Sequence, residues 1–197
     1  MPATAAAPAP DRPLRILAFG DSLMAGYGVR REEGFAAQLE ALLRAQGLDA
    51  SVLNGGVSGN TAGHARDRVG RTLNALRPPP DLAIVSFGGN DILRAVSPEE
   101  TRADMEAVLD AFAERGIKVV LAGMLAPPFL GAHYTRAFNA IFPELAAARR
   151  LPFYPFFLAG VAGNAKLNLP DRVHPNAAGI ARMAKGIAPY VLKEVGR

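Results

Sequence analysis

The segment DLAIVSFG, residues 81–88, is apolar at almost every position, and no other feature constrains the chain as much. A strand with one face in water alternates apolar and polar residues. A short unbroken apolar run instead marks a strand buried on both faces, as in a parallel sheet covered by helices. Comparable runs occur at RILAF (Arg15–Phe19), ASVLN (Ala50–Asn54), IKVVLAGM (Ile117–Met124) and PFYPF (Pro152–Phe156). Helical patterns separate them. EEGFAAQLEALLRAQG places Phe35, Leu39, Leu42 and Leu43 on one helical face and stops at Gly47, and Thr61–Leu76 ends before Pro78. In SPEE (Ser97–Glu100), Ser97 caps a helix, Pro98 suits its first turn and Glu100 completes a capping box; this helix runs to about Arg115. Ala132–Arg150 and Pro175–Val195 complete the set. Strands alternating with helices, without repeat or interior linker, predict one α/β domain over residues 14–197 with a parallel sheet. In such folds ligands bind at the carboxyl ends of the strands, so reactive residues are sought in those loops.

Composition excludes several other classes. Half of the 197 residues are hydrophobic, enough for a core without staples, and no cysteine is present to form disulfides, thiolate metal sites or a cysteine nucleophile. The net charge of +4 comes mostly from scattered arginines. Clusters such as Arg66, Arg68 and Arg71, or Arg149 and Arg150, fall on helical segments without a stripe of stacking aromatics, so no nucleic-acid partner is expected. The longest apolar run, Val119–Ala126, is too short to span a bilayer, and no stable membrane insertion is expected. MPATAAAPAPDRP, residues 1–13, reads as a disordered leader, with neither the charged start nor the leucine-rich core of an export signal. Cytoplasm and periplasm both remain open, as does homo-oligomerisation.

Reactive residue types do collect in the expected loops. Ser22 follows the first strand within GDSL, GGVSGNT (Gly55–Thr61) the second, and GGND (Gly88–Asp91) the third, while PDRVHPN (Pro170–Asn176) precedes the last helix. A serine hydroxyl needs an adjacent base to act as a nucleophile at neutral pH. Of three histidines, His64 lies inside a helical segment and His133 in the loop after Pro127-Pro128, both positions that suit ordinary polar residues. His174 has Asp171 three residues before it, close enough to fix the tautomer and stabilise an imidazolium. Pro175 at the helix start would place His174 near an N-cap. The Gly59 amide and the Asn90 side chain are candidate donors to an oxyanion. Taken singly, each segment is equally readable as a turn or a cap. Met24 stands where a Gly-x-Ser-x-Gly elbow has its second glycine, which argues against an α/β-hydrolase.

The blocks GDSL, SGNT, GGND and DRVHP, in this order, resemble those of GDSL-type (SGNH) serine hydrolases, nearest the bacterial arylesterase, acyl-CoA thioesterase and lysophospholipase branch. The resemblance covers nearly all of the chain from Leu14 onward. It implies a flavodoxin-like three-layer fold with a five-stranded sheet in the order 2-1-3-4-5, and it implies roles. Ser22 would be the nucleophile, His174 the base and then acid, Asp171 its orienter, and the Ser22 amide, Gly59 amide and Asn90 side chain the oxyanion hole. Asp21 and Asp91 would support loop geometry. Neither metal nor cofactor is implied, and the partner is a small-molecule ester.

Two segments depart from the family pattern. Asn60 stands where aspartate is frequent, and Arg172-Val173 replaces glycine and an aliphatic residue, which puts a cation beside Asp171 and predicts an altered pH dependence. Substrate would lie against Leu23, Ile92, Leu93, Leu125, Pro127 and Pro128, with short acyl or aryl esters favoured. Thioesterase, lysophospholipase and carbohydrate O-deacetylase activities on the same scaffold are alternatives. A non-catalytic flavodoxin-like binding module is a more distant one.

Overall fold

The computed structural model describes residues 12–196. Its strands β1 (Leu14–Gly20), β2 (Ala50–Gly56), β3 (Leu82–Ser86), β4 (Lys118–Ala122) and β5 (Phe153–Tyr154) form one all-parallel sheet in the order β2-β1-β3-β4-β5. The helices are α1 (Ser22–Ala25), α2 (Phe35–Ala45), α3 (Ala62–Ala75), α4 (Gly89–Leu93), α5 (Pro98–Ala113), α6 (Ala132–Arg149) and α7 (Ala177–Glu194). Ile16–Phe19 and all of β3 are buried, so helices must cover both faces of the sheet. They do so in two groups, α2 packed on α7, and α5 packed on both α3 and α6. Phe19 and Phe87 meet edge to face at 5.3 Å between centroids, and Phe19 and Phe112 at 5.6 Å.

Strand register brings the functional loops together. Gly20, the last residue of β1, pairs with Gly56 of β2 on one side and with Ser86 of β3 on the other. Three strands therefore end on one line, and the segments holding Ser22, Gly59 and Asn90 all start from it. Gly56 is required there for space: a Cβ would lie 2.1 Å from the Ala25 nitrogen, because α1 sits directly on this strand end.

Several boundaries differ from the sequence expectation. β5 keeps only two residues, since Pro152 and Pro155 flank it and cannot donate to a ladder. The short α1 and α4 stand where the sequence predicts loop, being too brief to show a helical period. α7 starts later than Pro175: Asn176 is its cap, accepting from the Gly179 N–H at 3.0 Å, and Pro175 instead bridges Asn168. His174 thus stands in a loop two residues before the cap. His133, expected in a loop, belongs to the first turn of α6.

The exposed edge of the sheet is blunted by side chains. Glu40 accepts from the Val52 N–H at 2.8 Å and Arg44 donates to the Ala50 carbonyl at 2.8 Å, occupying β2 groups that could pair with another strand. A groove of about 570 Å³ runs here between α2 and β2, lined by none of Ser22, Asp171 and His174. Residues 1–11 of the expected leader lie outside the described residues, while Arg12 donates to both carboxylate oxygens of Asp81 at 2.7 and 2.8 Å.

Candidate active site

Ser22 is the first residue of α1 and is only 8 % exposed. Asp21 caps this turn by accepting from the Leu23 N–H at 3.0 Å, which fixes the Ser22 hydroxyl above the end of β1. The hydroxyl oxygen lies 3.0 Å from Nε2 of His174, and Nδ1 of His174 lies 2.8 Å from Oδ2 of Asp171. The second carboxylate oxygen of Asp171 accepts from the N–H groups of Val173 (2.9 Å) and His174 (3.0 Å). These N–H donors and the imidazole push the Asp171 carboxyl down to about 2. A carboxylate that stays ionised on Nδ1 leaves Nε2 as the acceptor facing a hydroxyl, the tautomer that general-base chemistry needs. The structure thus brings the three residues singled out from the sequence into one hydrogen-bonded line.

The three candidate oxyanion donors all follow the strand ends at Gly20, Gly56 and Ser86. No acceptor for the Ser22 and Gly59 N–H groups is found among the described residues. Gly59 has φ +80°, a left-handed conformation, and its carbonyl accepts from the Arg94 guanidinium at 3.0 Å. The Asn90 side-chain nitrogen is already engaged, donating to Asp21 at 3.2 Å and to the Asn60 carbonyl at 3.0 Å. Sequence reading missed this pair of acceptors. To serve an oxyanion, Asn90 must share or exchange one of these bonds.

Supporting groups explain the local folding. Asp91 is fully buried and accepts from the Ala62 N–H at 3.1 and 3.2 Å and from the Thr101 hydroxyl at 3.3 Å, tying α4 to the starts of α3 and α5. Burial pushes its carboxyl up. Asp21, 3 % exposed, is raised to about 6 by burial against the opposing Leu23 N–H, His174 and Asn90. Arg68 donates to the carbonyls of Gly20 (2.9 Å) and Gly55 (3.0 Å) and to the Asn60 side-chain oxygen (2.7 Å), with its guanidinium 4.2 Å from the Phe19 ring centroid. Asn60 therefore fills the place of the more frequent aspartate as a neutral acceptor, and burial lowers the pKa of Arg68. His64 serves as a cap, with Nδ1 accepting from the Thr61 N–H at 3.2 Å.

Arg172 adopts glycine's backbone range itself, with φ +59°, a conformation that costs an ordinary residue about 1–2 kcal/mol. The groups that lower Asp171 are its loop N–H donors and His174 rather than this cation. Of the expected substrate wall, Leu93 (71 %) and Leu125 (42 %) are open to solvent, with Pro128 also exposed. Ile92 and Pro127 are half-buried, and Leu23 is as buried as Ser22.

The class the structure defines is an α/β fold whose parallel strands end beside a hydrogen-bonded Ser–His–Asp line. The chain belongs to the GDSL-like lipase/acylhydrolase family, whose model matches residues 18–182. It is 31% identical over 174 residues to esterase TesA of Pseudomonas aeruginosa, covering 88% of this chain and 86% of the relative. An arylesterase of Vibrio mimicus is 30% identical over 181 residues, covering 92% and 90%. Among solved structures, AlinE4, an SGNH-hydrolase family esterase, superposes with TM-score 0.79 at 41% identity, over 94% of this chain and 98% of its own. A crystal structure of TesA gives TM-score 0.84 at 31% identity, over 92% and 99%.

Proposed function

We propose that this chain hydrolyses carboxylic esters of small molecules through an acyl-enzyme formed on Ser22. The observation that carries the reading is the continuous line from Ser22 Oγ through His174 to Asp171, with spacings of 3.0 and 2.8 Å. As Ser22 attacks the ester carbonyl, His174 takes the hydroxyl proton and Asp171 stabilises the imidazolium. Charge building on the carbonyl oxygen is met by the N–H groups of Ser22 and Gly59 and by the Asn90 amide, one such donor being worth about 2.7–4 kcal/mol. His174 then returns its proton to the leaving alcohol. Water repeats the sequence on the acyl-enzyme and releases the acid.

Esterase and arylesterase relatives support ester chemistry. Leu93, Leu125 and Phe129, in the segments that follow β3 and β4, are exposed, which supports short acyl and aryl groups resting on an open surface. In the test, folded Ser22→Ala loses hydrolysis of p-nitrophenyl acetate by at least about 10³-fold, and a fluorophosphonate labels Ser22 alone. Wild-type turnover by Ser22→Ala, or labelling elsewhere, refutes the reading. An acetyl-to-palmitoyl series, with acyl-CoA and acetylated sugars included, places the substrate range.

A further inference from the structure

The stretch AFGDSLMAGYG ends in a feature that the reaction above does not use, Tyr27 between two glycines. Gly26 and Gly28 both have left-handed backbones, φ +77° and +73°, where an L side chain is strained. Together they lift Tyr27 out of the turn that follows α1. Its ring lies over the imidazole of His174, with centroids 4.4 Å apart and planes tilted by 38°. The residue is 52 % exposed, so core packing does not account for this placement.

His174 and Asp171 ride on the same loop, three residues apart, so their mutual bond does not dock that loop against Ser22. Hydrogen bonds at Nδ1 and Nε2 hold the imidazole at two points, and the ring remains able to rock about the line joining them. Contact on its face stops that rocking. The Gly28 side supplies a second tie between the two loops: a Cβ there would lie 2.5 Å from Cδ1 of Leu169, whose N–H donates to the His174 carbonyl at 2.7 Å. The chain turn carrying Tyr27 and the loop carrying His174 therefore meet at both residues.

We propose that Tyr27 is a positioning residue, its ring bracing the face of His174 so that Nε2 stays on Ser22 while Nδ1 stays on Asp171. The proposal rests on the reading of Ser22 and His174 as nucleophile and base. An aromatic face also favours the imidazolium that forms as the proton transfers. Neither effect needs the phenol oxygen, and neither involves ground-state binding of the ester.

Steady-state kinetics with phenyl acetate on Tyr27→Ala, Tyr27→Phe and Ser22→Ala, each checked for folding by thermal melting, test this. Tyr27→Ala lowers kcat roughly 10- to 100-fold with KM within about twofold, the size expected of a misaligned reacting group. Labelling of Ser22 by fluorophosphonate slows by a similar factor, and Tyr27→Phe restores both rates to near wild type. Wild-type kcat in Tyr27→Ala overturns the proposal. So does a change confined to KM, which would make Tyr27 a substrate wall, or a Phe variant as damaged as the Ala variant. An active Ser22→Ala overturns the underlying reading instead, which keeps the two failures apart.

Discussion

Asp21→Asn should change how stability depends on pH, because the fold holds this carboxylate where charge is disfavoured. Burial raises Asp21 from 3.8 to about 6, even though the Leu23 N–H, His174 and the Asn90 amide all favour the ionised form. A carboxyl whose folded pKa lies above its unfolded value keeps its proton more tightly when folded, so ionising it costs stability. That cost is absent below 3.8, grows as pH rises toward 6, and is complete above it. At 1.36 kcal/mol per unit it amounts to about 3 kcal/mol at pH 7 and to less than about 1 kcal/mol at pH 4. Asparagine cannot ionise. It also cannot accept from both Leu23 and Asn90, and loses about 1–2 kcal/mol of hydrogen bonding at every pH. The pH-dependent part is therefore the diagnostic one. Urea unfolding followed by far-UV circular dichroism suits a chain with no tryptophan. Relative to wild type, the variant should gain roughly 2–3 kcal/mol between pH 4 and pH 7. Parallel stability curves for the two proteins would refute the reasoning.

Asn90→Ala removes a donor that the proposed mechanism places on the oxyanion and should lower kcat by about 10²–10³ while leaving KM within a few-fold, as read from p-nitrophenyl acetate kinetics. Phe112→Ala empties a fully buried site against Phe19 and should cost about 3–5 kcal/mol of unfolding free energy in urea. A loss below about 1 kcal/mol would mean that this part of the core collapses to fill the space.

The alternation of buried runs and amphipathic segments was enough to place β1 to β4 within a residue or two, because burial on both faces leaves an apolar signature in the residues themselves. It also put Ser22, Gly59, Asn90 and the Asp171–His174 pair at one sheet edge, since parallel strands must all end there. Capping at Ser97 was equally local, and the Glu100 N–H donates to its hydroxyl at 3.1 Å, but the Glu100 side chain does not return a bond to the Ser97 N–H, so the expected capping box is only half formed. Elements without a local signature escaped. The short α1 and α4 span about one turn each, and β5 is cut down by the prolines around it. Pro175 misled because its bridge to Asn168 depends on how the loop folds back.

Within the site, residue types were legible and directions were not. Asn90 was recognised as a donor, but the acceptors holding it lie 69 and 30 residues away, on Asp21 and Asn60. Nothing in the local sequence marks Tyr27, and only the left-handed glycines beside it carry its ring over a histidine from the far end of the chain. By itself, then, the sequence determined the sheet, its functional edge and the chemical groups delivered there, because hydrophobic period and turn chemistry act between near neighbours. Tertiary structure alone decided which way each group faces and which protons are already shared. Those outcomes depend on backbone angles and on contacts between segments that the linear order keeps far apart.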